Sequence, residues 1–320
     1  MFLRHIFSLK ILLSLLIIFS FISIFVGVKN INLSNFLDYE NIEILLITRI
    51  PRLIAIILTG MSLGICGLIM QQLTQNKFVS PTTAGTMDCA RFGILIALVF
   101  FGSNSFIIQG IIASLFAMIG SFIFIQMLKY IKLKDIIFVP LIGIMFGGIV
   151  SAISTFFAYS LNYIQSIGAW LQGSFTNIMQ GNYELIYISL PLFLLAFFFA
   201  NKITIVGMGE DIALNLGVSY NLVLLIGLLI VSIITSIIVV SVGVIPFLGL
   251  IIPNIIAIYR GDNLRKNLIY IALSGALFLL ICDIFSRLII YPFEMPISIT
   301  AGVVGSFVFI LLLFRKQNYA

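Results

Sequence analysis

The feature that most limits how this chain can fold is a series of apolar runs, several of them close to 20 residues long. A helix of that length crosses ~30 Å of hydrocarbon, and within a bilayer only helices and closed barrels satisfy every backbone polar group. Hydrophobic residues make up 62% of the chain, charged residues only 9%, and the mean hydropathy is +1.25. The runs therefore predict an all-α, polytopic membrane protein in which residues 1–320 form a single transmembrane domain.

Ten runs are predicted to cross the membrane, at residues 11–28, 53–73, 87–101, 106–128, 136–159, 183–200, 220–240, 247–259, 268–284 and 297–314. The first is longer than a signal-peptide core and lacks an A-x-A-like cleavage site, so it is counted as a span. The eighth is short, which indicates a tilted helix or one that begins inside the bilayer. Residues 166–175 contain Trp170 and predict a short extracytoplasmic helix at the headgroup level.

The distribution of Lys and Arg orients the chain. With the N-terminus inside, the cytoplasmic segments hold 12 of the 17 basic residues, namely Arg4, Lys10, Lys77, Lys129, Lys132, Lys134, Lys202, Arg260, Arg265, Lys266, Arg315 and Lys316. The external segments hold Lys29, Arg49, Arg52 and Arg287, and Arg91 stays unassigned near the third span. This excess follows the positive-inside rule, so we expect both termini in the cytoplasm. The net charge of +6 is then a topology signal and does not indicate nucleic-acid binding.

Residues 201–221 lie between two long apolar runs and fall in the cytoplasm in this topology. Glu210 and Asp211 open a short amphipathic segment, and Gly217 follows it. Acids favour the positive end of a helix, and glycine can take the left-handed cap just past the last turn. We therefore predict a helix over 209–216, about 12 Å long at 1.5 Å per residue. It is either a passive connector or a lever on which a soluble partner pulls.

Two glycine pairs have the G-x-x-x-G spacing that lets helix backbones approach closely. They are Gly60 with Gly64, and Gly143 with Gly147. Such pairs are common in membrane helices, and packing within one chain is favoured here over a dimer face.

The sequence carries no catalytic or metal-binding pattern. There is no G-x-x-x-x-G-K-[ST] phosphate loop, H-E-x-x-H motif or G-x-S-x-G elbow, and Cys66, Cys89 and Cys282 lack metal-site spacing. An ion-coupled carrier needs ionisable groups in mid-membrane, yet only Asp88 and Asp283 lie in or near spans. We therefore expect no metal, no cofactor and no enzymatic activity. The chain is either a passive path or is driven by another subunit; a self-sufficient carrier or a membrane enzyme is less favoured.

Five motifs of a known family occur in order. They are Arg49-Ile-Pro-Arg52-Leu; Gly60-x-x-Leu63-Gly64-x-x-Gly67 followed by Gln71 and Asn76; Gly209-Glu210-x-x-Ala213-x-x-Leu216-Gly217; Phe247-Leu-Gly-Leu-Ile-Ile-Pro253; and Cys282-Asp283 with Arg287, then Glu294-x-Pro296. In this order the chain from Arg49 onward resembles the FecCD-type permease subunits of ATP-binding-cassette (ABC) importers for ferric siderophores, haem and cobalamin. That resemblance implies a bacterial inner-membrane transport protein.

The chain departs from the family pattern at four places. Asn254 stands where His is usual, Ala257 where Arg is usual, Lys77 where Pro is usual, and Ala84 where Leu is usual. The stretches 245–254 and 259–265 are most similar to the branch that imports catecholate-type ferric siderophores. The resemblance thus implies a siderophore cargo, with haem or cobalamin as the alternatives.

The resemblance also implies partners outside the cell membrane. Arg49, Arg52 and Arg287 would meet carboxylates of an extracytoplasmic siderophore-binding protein, because charged contacts of this kind set docking register and association rate. The alternative is that the three arginines anchor lipid headgroups or pair within the chain. The acids available for such pairing are Asp38, Glu40, Glu43, Asp283 and Glu294.

On the cytoplasmic side the resemblance implies an ABC ATPase subunit. Glu210, Ala213 and Gly217 would form the coupling helix that seats in it, and Asn76 and Phe78 match the family's cytoplasmic gate. The alternative for Asn76 and Phe78 is an ordinary loop. A second permease subunit would complete the substrate path, as a homodimer or a heterodimer.

Overall fold

The computed structural model describes residues 8–27, 39–102, 106–130, 138–261 and 263–317, and these ranges contain helices, turns and loops but no strand. Within these ranges, ten helices of 13 or more residues lie on the ten predicted spans. In chain order they are α1 (Leu9–Phe25), α2 (Ile50–Leu73), α3 (Thr86–Phe101), α4 (Phe106–Tyr130), α5 (Phe138–Ser160), α6 (Ser189–Val206), α7 (Tyr220–Ser241), α8 (Leu248–Arg260), α9 (Leu264–Leu288) and α10 (Ile297–Gln317).

Six helical segments among the described residues are long and apolar enough to cross a membrane. They are Asn41–Leu73, Phe106–Tyr130, Phe138–Ser160, Glu184–Val206, Tyr220–Ser241 and Leu264–Leu288. Shorter apolar helices occur at Leu9–Phe25, Leu248–Arg260 and Ile297–Leu312. The prediction of an all-α, polytopic membrane protein is confirmed.

Several helices run further than predicted. A helical turn at Tyr39–Ile44 and a π-helical turn at Leu45–Arg49 lead into α2 without a break, so Arg49 and Arg52 are helical rather than in a loop before the span. Pro51 is tolerated because it lies in the first turn of α2. Likewise α9 continues through Arg287, and α6 continues to Val206, past the predicted end at residue 200. A hydropathy pattern ends the predicted span near the first charged residue. The helix itself can continue past that residue when its charged side chain has a partner.

Two smaller predictions also shift. The helix predicted over 166–175 spans Ile164–Leu171, preceded by a turn that contains Asn162 at φ 61°. The short eighth helix, α8, begins after Phe247 at φ 64°, among the buried residues Val242, Ile245 and Leu248. It therefore starts inside the helix bundle. A start inside the bilayer, one of the two predicted explanations, stays a prediction.

The bundle is centred on α2, α7 and α9, with α4, α5 and α6 on its periphery. Glycine allows the tightest crossings. An added Cβ on Gly60 would clash with Gly275 of α9, and one on Gly67 would overlap the carbonyl oxygen of Gly249 in α8. Both predicted G-x-x-x-G pairs contact other parts of the same chain, which confirms packing within the subunit.

Candidate sites at the two ends of the helix bundle

Five charged residues form what we call the arginine cluster at the predicted extracytoplasmic end: Arg49, Arg52, Asp283, Arg287 and Glu294. Arg52 donates to Asp283 Oδ1 at 2.8 Å and to Glu294 Oε2 at 2.8 Å, and Arg287 contacts Asp283 Oδ2 at 2.6 Å. The Asp283 side chain is 1% exposed, and that of Glu294 is 18% exposed. Because a buried charge is stable only when it is paired, Asp283 fixes both arginines from the inner side while Glu294 closes the outer side.

The cluster also fixes the end of α1. Arg287 donates to the backbone oxygens of Ser23 at 3.1 Å and Val26 at 2.6 Å, and Arg49 donates to the backbone oxygen of Ile24. The last carbonyl groups of a helix have no partner inside it, and cations are favourable there. Two of the three arginines thus cap α1 in addition to any role at the surface.

A cavity of about 220 Å³ opens beside this cluster. Its polar lining consists of Thr48, Arg49, Arg52, Thr176, Arg287 and Glu294. Three guanidinium groups lie around this cavity, and positively charged side chains attract anionic groups at a surface. A carboxylate is a chemical group that suits such a lining.

The predicted short helix is present at the opposite end of the bundle as Glu210–Asn215. It has six residues instead of the eight predicted and is about 9 Å long. Gly209 precedes it at φ 117° and Gly217 follows it at φ 71°, which confirms the predicted left-handed cap. Ala213 is fully buried against the bundle. Glu210 lies 3.6 Å from Lys129 at the end of α4, so the helix is connected to two parts of the bundle.

Large apolar side chains are exposed on this short helix and beside it, among the exposed polar residues Glu210, Asp211 and Asn215. They are Met208 at 56%, Ile212 at 45%, Leu214 at 58% and Leu216 at 60%. These four residues lie outside the helices that are long enough to cross a membrane. Exposed apolar side chains of this kind suit a groove in a partner protein.

Residues 74–85, which we call the gate segment, join α2 to α3. Asn76 is 5% exposed, and its Oδ1 accepts a hydrogen bond from Phe78 N at 2.8 Å. The Phe78 ring contacts the edge of Phe309 in α10, with centroids 6.0 Å apart. Asn254 donates to the backbone oxygen of Lys77 at 2.7 Å, so two of the positions that depart from the family pattern bind each other.

A cavity of about 270 Å³ lies between the gate segment and the end of α6. Gln75, Asn76 and Lys77 line it from the gate segment, and Gly207 and Met208 line it just past α6. The gate segment also comes close to the start of the short helix, because a Cβ added to Gly209 would lie 3.7 Å from Gln75 Nε2.

The structure brings together every group of residues that the sequence singled out. Pairing within the chain was one of the alternatives for the arginines, and Arg52 and Arg287 do pair with Asp283. The sequence indicates the Arg287 pair, because the two residues have an i,i+4 spacing. The sequence gives no local sign of the Arg52 pair, because Asp283 lies 231 residues away. Lys129 was missed as a contact of Glu210, because nothing local to either residue indicates it.

The comparisons with known proteins agree with this geometry. The model of the FecCD transport family matches residues 15–315. The petrobactin import system permease protein YclN of Bacillus subtilis (strain 168) is 50% identical over 315 residues, which cover 98% of this chain and 100% of the relative. The ferric-anguibactin transport system permease protein FatD of Vibrio anguillarum is 42% identical over 268 residues, 84% of this chain and 85% of the relative.

A solved structure supports the fold. It is an inward-facing conformation of a metal-chelate type ABC transporter, which matches with a TM-score of 0.81 at 24% identity over 95% of this chain and 97% of that chain. The family model covers residues 15–315, and the two relatives match over 98% and 84% of this chain. The chain therefore belongs to the FecCD transport family.

Proposed function

We propose that this chain is the permease subunit of an importer that carries a ferric siderophore, of catecholate type, across the bacterial cytoplasmic membrane. Family members are multi-pass inner-membrane permeases of ABC importers, whose ATPase activity lies on separate subunits and which include a second permease subunit. The observation that carries the proposal is the family match across residues 15–315, together with relatives that are named for petrobactin and ferric-anguibactin import. Haem and cobalamin are the alternative cargoes.

In this proposal the arginine cluster receives the extracytoplasmic binding protein. Arg52 and Arg287 are held by Asp283, so they form a rigid base rather than long mobile side chains. Arg49 and the outer, partly exposed Glu294 lie at the rim of the cavity. A carboxylate of the binding protein would enter this cavity and bind its guanidinium groups, which sets docking register and association rate.

At the other end Glu210, Ala213 and Gly217 act as the coupling helix, with the exposed Ile212 and Leu214 seated in the ATPase subunit. Ala213 keeps the inner face of this helix tightly against the bundle. Movement of the helix on ATP binding passes from Gly209 through Gln75 to Asn76 and Phe78, which gate the path by alternating access. Both termini are cytoplasmic in this arrangement. Lipid covers the apolar periphery, and the second permease subunit, identical or different, completes the path.

An ion-coupled carrier is not favoured by the ionisable residues inside the described helices. Asp88 is paired with Arg91, and Asp283 with Arg52 and Arg287. An acid that is neutralised by a permanently charged arginine is a poor exchanger of protons or ions.

Uptake measurements test the proposal. A strain that lacks the gene and its complemented counterpart are offered labelled ferric petrobactin, another ferric catecholate, haem and cobalamin. We expect the complement alone to restore uptake of the ferric siderophores. Restoration of haem or cobalamin uptake instead would overturn the cargo assignment. Accumulation by the purified chain alone, in vesicles with an ion gradient and no ATPase, would overturn the class.

A further inference from the structure

The helix α5 is held on one face by small residues. Gly143 lies against the backbone of Thr83 in the gate segment, and Gly147 lies against Gly85 and Asp88 at the start of α3. Further along, Ala158 packs on Leu95 of α3. The rest of α5 exposes large apolar side chains, such as Phe156 at 68%. α5 therefore contacts the bundle mainly through α3 and the gate segment.

A buried ion pair lies in the middle of this contact. Arg91, whose side chain is 6% exposed, contacts Asp88 one turn earlier in α3 and donates to Ser151 Oγ of α5 at 3.2 Å. Arginine keeps its charge in proteins, so Asp88 is needed to compensate it. Small residues alone would suffice to pack α3 on α5. An ionisable group in a membrane helix that packing does not require indicates a function.

Two polar atoms on the same contact are buried without a hydrogen-bond partner among the described residues. One is Nε of Arg91, and the other is Oγ of Ser154. Ser154 is 4% exposed and lies one turn beyond Ser151 on α5. An unpaired buried hydroxyl is costly, and Arg91 in the helix that packs on α5 has an unused donor.

We propose that α5 occupies two registers against α3, one helical turn apart, and that Arg91 is the positioning residue that selects between them. In the observed register Arg91 binds Ser151; in the other it binds Ser154. This inference rests on the proposed function, because the two registers would belong to the two sides of alternating access. One-turn displacements of one helix past another are a known form of switching.

The small residues of α5 fit such a displacement. They recur at 143, 147, 151, 154 and 158, close to one residue per turn, so a shift of about 5.4 Å places each near the position of its neighbour. Gly147 would then meet Thr83, where the observed register has Gly143. Ser151 would meet Asp88, whose Oδ2 lies 2.6 Å from the position of a Cβ on Gly147. That carboxylate would turn aside and gain the serine hydroxyl as a donor.

The test compares Ser154→Ala with Ser151→Ala in the assembled transporter, with its ATPase and binding protein, in lipid vesicles. Spin labels on Phe100→Cys and Phe156→Cys report the register of α5, since both positions are exposed and the three native cysteines are buried. We expect two label distances that reflect a displacement of about one turn. Ser154→Ala should reduce the second population and the uptake rate about tenfold, the effect of one hydrogen bond to a charged group, and Ser151→Ala should shift the populations the other way.

A purely structural role gives a different result. Ser154→Ala removes a buried hydroxyl that has no partner in this register, so it should leave the unfolding temperature unchanged or raise it. A single label distance under all nucleotide conditions, or parental uptake by Ser154→Ala, would overturn the inference. Uptake by the unsubstituted transporter is measured first. Its failure to carry siderophore would refute the proposed function, whereas the label distances test the two registers independently of cargo.

Discussion

Replacing Gly217 by Val tests the coupling helix where its geometry is most specific. Gly217 has φ 71°, and a Cβ added to it would meet nothing within 4 Å. A Cβ at this position meets no neighbour, so the expected penalty is the backbone strain of a left-handed residue, about 1–2 kcal/mol. The turn holds Val218 N to the Ala213 oxygen at 2.9 Å and Gly217 N to the Leu214 oxygen at 3.0 Å, and these bonds would be strained first.

The magnitude decides what the substitution does. A strain of about 1–2 kcal/mol is small beside a total stability of about 5–15 kcal/mol, so the chain should still fold. The same strain changes a local equilibrium about 5- to 30-fold, which is enough to displace a helix of six residues. We therefore expect ATP hydrolysis to continue while uptake per ATP falls by about that factor.

The assay measures ATP hydrolysis and siderophore uptake in the same vesicles, with the ATPase subunit and the binding protein present. Gly217→Asn is the matched control, because Asn tolerates the left-handed conformation and should retain most of the coupling. Parental coupling in Gly217→Val would refute the assignment of this helix. Equal loss in the Asn and Val variants would show that side-chain size, and not backbone strain, is responsible.

Three further predictions follow from contacts elsewhere in the chain. Arg49→Gln removes a positive charge beside the cavity and leaves the ion pairs of Asp283 in place. Association with the loaded binding protein should slow about tenfold at low salt and much less at high salt. An unchanged association rate would contradict docking at this cluster. Asp283→Asn removes the carboxylate that compensates two buried arginines, so it should lower the free energy of unfolding by about 3–5 kcal/mol, measured by unfolding in detergent. Glu294→Gln, at the partly exposed position, should lower it less. Equal losses would show that the buried pair is no more important to stability than the exposed one. Gly67→Ala should destabilise the chain by about 1–3 kcal/mol or more, because its Cβ would overlap Gly249. Gly110→Ala, whose Cβ would meet open space, should be neutral or stabilising in the same unfolding assay. The reverse order would show that the α2–α8 crossing is not as close as described.

Much of the fold could be predicted, because a bilayer leaves few choices. Apolar runs near 20 residues must form helices, and the ten predicted spans correspond to ten helices. The errors lie at charged ends. Arg52, Asp283 and Arg287 were placed at or beyond the ends of spans, yet they lie inside α2 and α9 because they pair across the bundle. Hydropathy averages along the chain, so it cannot register a partner 231 residues away.

The candidate sites also divide into those with local sequence signals and those formed only by contacts between distant residues. Gly209, Glu210 and Gly217 carry local signals, since a helix start, a first-turn acid and a left-handed cap depend on neighbouring residues. The sequence by itself therefore determined a helical membrane protein with a short amphipathic helix between two spans. Only the tertiary structure decided that two of the arginines are held by Asp283, that Gly209 before the short helix lies near Gln75 of the gate segment, and that Arg91 meets Ser151 of α5. Those contacts join residues distant in the chain, so their geometry exists only once the helices have packed.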